Sequence, residues 1–163
     1  FDAGLATGIP LYGDETIQEE NRVLTDGGQR VFVGTVADVN FRICNGLTFF
    51  LGNDTNFDFV WKNKNFFNHI ETSFFPGLKF YPGVGGLNLS LAYSVGCRWD
   101  FSSDTSVLFD DALWGNGFRL GLEYNFSYDS NPYLPSVGFY YRLCPRGNNF
   151  WDHIFSVYCV ENF

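Results

Sequence analysis

The sequence predicts an all-β chain, a single domain over residues 1–163 folded as an eight-stranded antiparallel up-and-down β-barrel of the transmembrane kind. Three observations carry this. Apolar and polar residues alternate with period two along most of the chain, the pattern of strands whose two faces meet different surroundings. The connections between alternating segments are short and long in turn, as when one rim of a barrel carries tight turns and the other carries loops. The polar face holds Gly, Ser, Ala and Asn with charges of both signs, where a soluble barrel would show Lys, Glu and Gln.

The segments follow in order. Phe1 to Leu11 is the first, and a long connection from Gly13 to Arg30 leads to the second, Val31 to Ile43. Asn45-Gly46 is a two-residue hairpin signal, since both central positions of a type I′ turn need positive φ. It joins the second segment to the third, Leu47 to Trp61, and a long connection from Lys62 to Glu71 precedes the fourth, Thr72 to Tyr81. After the tight run Pro82 to Gly86 comes the clearest strand, Leu87 to Phe101. Its Leu87, Leu89, Leu91, Tyr93, Val95, Cys97, Trp99 and Phe101 oppose Asn88, Ser90, Ala92, Ser94, Gly96, Arg98 and Asp100. A loop from Ser102 to Gly117 leads to Phe118 to Tyr128, where Phe118, Leu120, Leu122, Tyr124, Phe126 and Tyr128 oppose Arg119, Gly121, Glu123, Asn125 and Ser127. The tight run Asp129 to Pro132, the segment Pro135 to Leu143, the connection Cys144 to Asn149 and the segment Trp151 to Phe163 complete the set, with both termini on the tight-turn side.

Parity then assigns the faces. The inward set includes Asp38, Arg42, Asp58, Arg98, Asp100, Arg119, Glu123 and Arg142, with Asp152, and these signs can neutralise one another. Unpaired ions inside a protein cost several kcal/mol each, so such a set is expected to form a hydrogen-bonded network that plugs the lumen. Gly34, Gly52, Gly96, Gly121 and Gly138 either leave room in the lumen or seat bulky neighbours such as Phe50 and Tyr140. Outward aromatics near strand ends, Trp61, Trp99, Phe118, Tyr128 and Phe155, suit the two membrane interfaces.

The chain resembles the small eight-stranded outer-membrane barrels of the OmpA transmembrane domain, OmpX and OmpW type, over essentially its whole length. The most specific element is the last strand, where Phe155, Val157 and Phe163 share one parity, similar to the carboxy-terminal signal read by the barrel-assembly machinery; Glu161 departs from that pattern. The resemblance implies a bacterial outer-membrane location, termini and tight turns in the periplasm, longer loops at the cell surface, and outer-membrane lipid and the assembly machinery as partners.

Composition excludes other classes. The net charge of −8, with lysine only at Lys62, Lys64 and Lys79, argues against a nucleic-acid partner. Two histidines, His69 and His153, do not make a multi-histidine metal site, and the four cysteines form no C-x-x-C pair, so neither a metal nor a cofactor is expected. The third loop sets Val107, Leu108, Leu113 and Trp114 around Asp104, Asp110 and Asp111, a candidate contact for a protein partner or host ligand. The expected function is therefore a non-enzymatic surface anchor with a closed polar lumen. The alternatives are a narrow channel or lateral portal for small solutes, apolar ones included, and, third, a lipid-modifying enzyme. For the last, His153, Ser156 and Asp152 are the candidate catalytic group, but His153 and Ser156 have opposite parity and would face opposite sides of the wall.

Overall fold

The computed structural model describes residues 1–104, 112–127, 134–147 and 149–163. The strands are β1 (Asp2–Leu11), β2 (Gln29–Cys44), β3 (Leu47–Lys62), β4 (Asn65–Phe80), β5 (Leu87–Ser102), β6 (Leu113–Asn125), β7 (Ser136–Pro145) and β8 (Trp151–Asn162), and one helix, α1 (Glu15–Thr25), lies between β1 and β2. Each strand pairs antiparallel with its neighbours in sequence, and β1 pairs with β8 to close the barrel. Closure gives every strand two neighbours, so the sheet has no edge strand in lipid. Phe163 N donates to Phe1 O at 2.8 Å, so the termini meet on the rim that carries the β2–β3 and β4–β5 turns.

Alternation along each strand becomes inside and outside. On β5, Leu89, Leu91, Tyr93 and Val95 are exposed on the outer surface, while Ser90, Ala92, Ser94 and Arg98 are buried in the lumen. The lumen is packed: a Cβ at Gly52 would lie 2.1 Å from the Phe75 ring, and one at Gly138 2.3 Å from the Tyr158 ring. These glycines seat large neighbours that block a through-going bore at their levels. All four tryptophans, Trp61, Trp99, Trp114 and Trp151, sit at strand ends on the loop rim, as an interfacial girdle requires.

Several sequence expectations change. The expected loop from Lys62 to Glu71 is a turn at Asn63-Lys64, with Lys62 paired to Asn65 and Asn63 at φ 57, a left-handed conformation that asparagine tolerates. The strand β4 thus starts seven residues before Thr72, and its head carries Asn65, Phe66 and Phe67. The Asn45-Gly46 turn exists, but neither residue has positive φ; the strands slip register between Arg42 and Cys44, and this bulge makes the reversal. Leu113 and Trp114 are strand residues of β6, paired with Arg98 and Cys97, and not loop residues. The turn at Asp129 to Pro132, the aromatic Tyr128, and the contact candidates Leu108, Asp110 and Asp111 lie outside the described residues.

The first long connection folds into α1. Asp14 caps it, accepting from Thr16 N at 2.9 Å and from Ile17 N at 3.5 Å. Ile17, Asn21 and Leu24 fall on one face at spacings of four and three and are buried. With Tyr12, Val60 and Phe67 the two apolar ones form a cluster that seats the helix over the mouth of the barrel.

Candidate functional site

Two polar regions stand out: the interior charge network and a groove at the loop rim. The network runs unbroken from the helix into the middle of the barrel. Asn21 of α1 bonds His69 Nε2 at 3.1 Å, and His69 Nδ1 lies 2.6 Å from Asp100 Oδ1. Arg98 Nε donates to Asp100 at 2.9 Å and Arg98 Nη1 to Asp152. Arg146 Nε donates to Asp152 at 2.7 Å and Arg146 Nη2 to Glu71, whose other oxygen lies 2.9 Å from Arg142 Nη2 as an ion pair without hydrogen-bond geometry; Arg142 Nη1 donates to Asp54. Since β3 and β7 are four strands apart in a ring of eight, the Arg142–Asp54 pair spans the bore.

Beside this chain, Tyr12 Oη and Arg30 both donate to Asp58, at 2.9 and 2.7 Å. Burial and then the Asp58 carboxylate hold the Tyr12 phenol well above its ordinary pKa, so it stays a donor. Near the turn rim, Lys79 binds Asp2 at 2.9 Å and Asp38 at 3.1 Å, and Glu123 accepts from Asn88 and Tyr158, both at 2.8 Å. Arg119 has no carboxylate partner among the described residues; its guanidinium lies over the rings of Phe75, Tyr140 and Tyr158 at 4.7, 4.3 and 5.6 Å.

Of the expected lumen set, Asp38, Asp58, Arg98, Asp100, Arg119, Glu123 and Arg142 are buried inside. Arg42 is not. It has inward parity but sits on the turn rim, exposed, and bonds Asn45 Oδ1 at 2.5 Å, because β2 runs past the end of the packed lumen there. Sequence reasoning did not include Asp54, His69, Glu71, Lys79 or Arg146. Asp54 and Lys79 carry inward parity on strands already recognised, so the signal was present; His69 and Glu71 were hidden by the expected loop. Of the surface-contact candidates, Asp104 follows β5, and Trp114 points outward at the loop rim. Phe155, Val157 and Phe163 are all exposed on the outer face.

The groove, about 740 Å³, straddles the head of β1. It is lined by Pro10, Leu11 and Tyr12 at the end of β1, by Asn21, Arg22 and Thr25 of α1, by Arg30, and by Phe150, Trp151 and His153 around the start of β8. It therefore touches outward residues such as Leu11 and Trp151 and inward ones such as Tyr12 and Asn21. His153 faces outward, between the inward Asp152 and Ile154, and its Nδ1 lies 2.8 Å from Tyr141 Oη with the two rings stacked. In the tautomer whose Nδ1–H donates to Oη, Nε2 keeps its lone pair; in the other, Oη–H donates to Nδ1 and Nε2 carries the proton. Ser156 and Asp152 point into the lumen, Asp152 held by Arg98 and Arg146, so no serine-histidine-acid group assembles. The buried His69–Asp100 pair is closed off on Nε2 by Asn21.

No family model matches the chain, and no curated protein matches it. Among solved structures it is similar to the one titled "Crystal structure of the outer membrane enzyme PagL", at 12% identity and a TM-score of 0.52, with all of both chains covered. The chain thus has the fold of a small outer-membrane β-barrel, eight antiparallel strands closed on themselves. The same finding corrects the expectation that the chain is not an enzyme: a barrel aligned along its whole length is an outer membrane enzyme, so the architecture behind that expectation also carries catalysis.

Proposed function

We propose that this chain is an integral protein of the bacterial outer membrane, termini in the periplasm and loops outside, and that its rim groove hydrolyses an ester of envelope lipid. The observation that carries the reading is the groove itself: it joins the apolar outer face of the barrel to polar side chains at the rim, with a histidine on its wall. A lipid held at the membrane surface presents its acyl chains to the first and its ester and headgroup to the second. The fold supports the reading, since an outer membrane enzyme is built on it.

His153 is the general base. Tyr141 fixes its ring, Nε2 takes a proton from a water molecule, and the water oxygen attacks the ester carbonyl. The tetrahedral adduct expels the alcohol, which receives the proton from the imidazolium; the products are a free fatty acid and the deacylated lipid. Arg22, exposed on the helix wall, offers a cation to an anionic headgroup in competition with Glu19. The lumen takes no part in transport in this reading, because ion pairs cross it. The last strand, with Phe155, Val157 and Phe163 outward, serves as the mark for the barrel-assembly machinery.

The test is fatty-acid release by folded protein in mixed micelles with outer-membrane phospholipid. A general base contributes roughly 10²–10⁴-fold, so His153→Gln is expected to lower the rate at least a hundredfold while heat-modifiable gel mobility still reports a folded barrel. Equal rates for the two proteins remove His153 from the mechanism.

A further inference from the structure

The wall of the barrel is not evenly laddered. The β1–β2 ladder runs from Asp2–Asp38 to Ala6–Gly34 and stops, although both strands continue, β1 to Leu11 and β2 back to Gln29. On their other edges the same residues are fully paired: Thr7 to Leu11 with β8, and Gln29 to Val33 with β3. Among the described residues, two other ladders break: β4–β5 beside Pro76 and β6–β7 between Phe118–Leu143 and the Gly115–Arg146 bridge, each missing two pairs before pairing resumes. The β1–β2 break reaches the groove and does not close.

The residues at the break account for it. Pro10 O accepts from Arg30 Nη2 at 3.2 Å, so that edge of Pro10 faces β2, and proline has no N–H to give there. Phe32 O, on the opposite edge, accepts from the Thr7 hydroxyl at 2.9 Å in place of a backbone donor. Two side chains thus bridge a stretch where backbone groups would normally pair, and backbone groups left unpaired in hydrocarbon cost several kcal/mol each. The outer surface here is apolar, with Ile9, Leu11, Val31 and Val33 exposed, which places the break against lipid. Behind its inner half the lumen is apolar too: Phe32 and Ile154 join Ala6 and Val36, which flank the last ladder pairs, in one buried cluster, while Asp58 lies opposite Phe32 toward the rim.

We propose that the β1–β2 seam is a lateral entry through which one acyl chain of a membrane lipid passes from the bilayer toward the apolar side of the lumen, while its ester stays in the groove at the head of the seam. An acyl chain is the occupant because the outer side of the seam and the inner half of its lumen side are apolar, with Arg30 and Asp58 only toward the rim, and the groups that bridge it are a hydroxyl and a guanidinium, which break and remake single hydrogen bonds. The lipid reading of the groove supplies the ester; the seam itself stands on the ladder and the cluster behind it.

The probe is a phospholipid with a photoreactive diazirine at the end of one acyl chain, in micelles with folded Thr7→Cys/Val33→Cys protein in which Cys44 and Cys159 are changed to Ser. These two positions face each other across the seam if its register is continued. In the reduced protein, peptide mapping after illumination is expected to find adducts on lumen-facing Phe32, Ala6 or Ile154 besides outward residues. Oxidation to the disulfide after folding, or a short thiol cross-linker where the disulfide does not close, is expected to lower the lumen adducts at least tenfold and leave the outward ones. Adducts confined to outward residues in the reduced protein, or lumen adducts indifferent to the lock, overturn the proposal. Neither outcome depends on turnover, so the seam can fail while hydrolysis at His153 stands, and the reverse.

Discussion

Glu71 holds two guanidinium groups, Arg142 and Arg146, each of which also has an aspartate, Asp54 and Asp152. Removing the shared carboxylate leaves excess positive charge in a closed space, and breaking a buried pair in this way costs about 3–5 kcal/mol. Glu71→Ala is therefore expected to lower the unfolding free energy by about that amount in a urea titration of folded protein in vesicles; a loss under about 0.5 kcal/mol, the usual scale of a surface pair, would mean that water reaches the site. At this scale the sequence was readable wherever parity could be trusted. Arg98, Asp100, Arg119 and Glu123 lie on the two strands with the cleanest alternation and all are lumenal. Tyr12 and Arg146 were not readable, because they follow the ends of β1 and β7, where a period of two no longer says which way a side chain turns.

Elements were legible in the measure that their signals were local. Eight alternating segments are eight strands, whereas the bounds moved where a turn lacked the expected chemistry: Asn63-Lys64 carries no glycine, so the β3–β4 hairpin looked like a loop. The helix was hidden differently. It lies in what reads as a long connection, and its buried face, Ile17, Asn21 and Leu24, is only three residues in eleven. That face nevertheless seats α1 through Ile17, which is fully buried against the barrel mouth. Ile17→Asp is expected to undock the helix without opening the sheet, so limited proteolysis should cut within Glu15–Thr25 while the remaining barrel keeps its heat-modifiable mobility. Resistance equal to wild type would show that the caps and polar contacts alone hold α1. The β1–β2 break had a faint sequence signal in Pro10, whose missing N–H reads as an edge even where the fold has none.

The whole molecule is a ring of eight strands around a lumen crossed by ion pairs, and period two together with the composition of the polar face was enough to read that architecture from sequence. What could not be read is the groove, since the consecutive β1, α1 and β2 meet the head of β8, more than a hundred residues away in sequence, only when the ring closes. Ion pairs across the bore imply that folded, inserted protein passes no current: planar-bilayer recordings should stay at baseline, and discrete steps would require the Arg142–Asp54 crossing to open. The claim that the barrel works on the lipid around it is tested most directly by reconstituting folded protein into vesicles of outer-membrane lipid and following every lipid class by mass spectrometry over time. The account predicts that one class loses an acyl chain with wild-type protein and keeps it with His153→Gln. An unchanged lipid inventory around a folded and inserted wild-type barrel would contradict it.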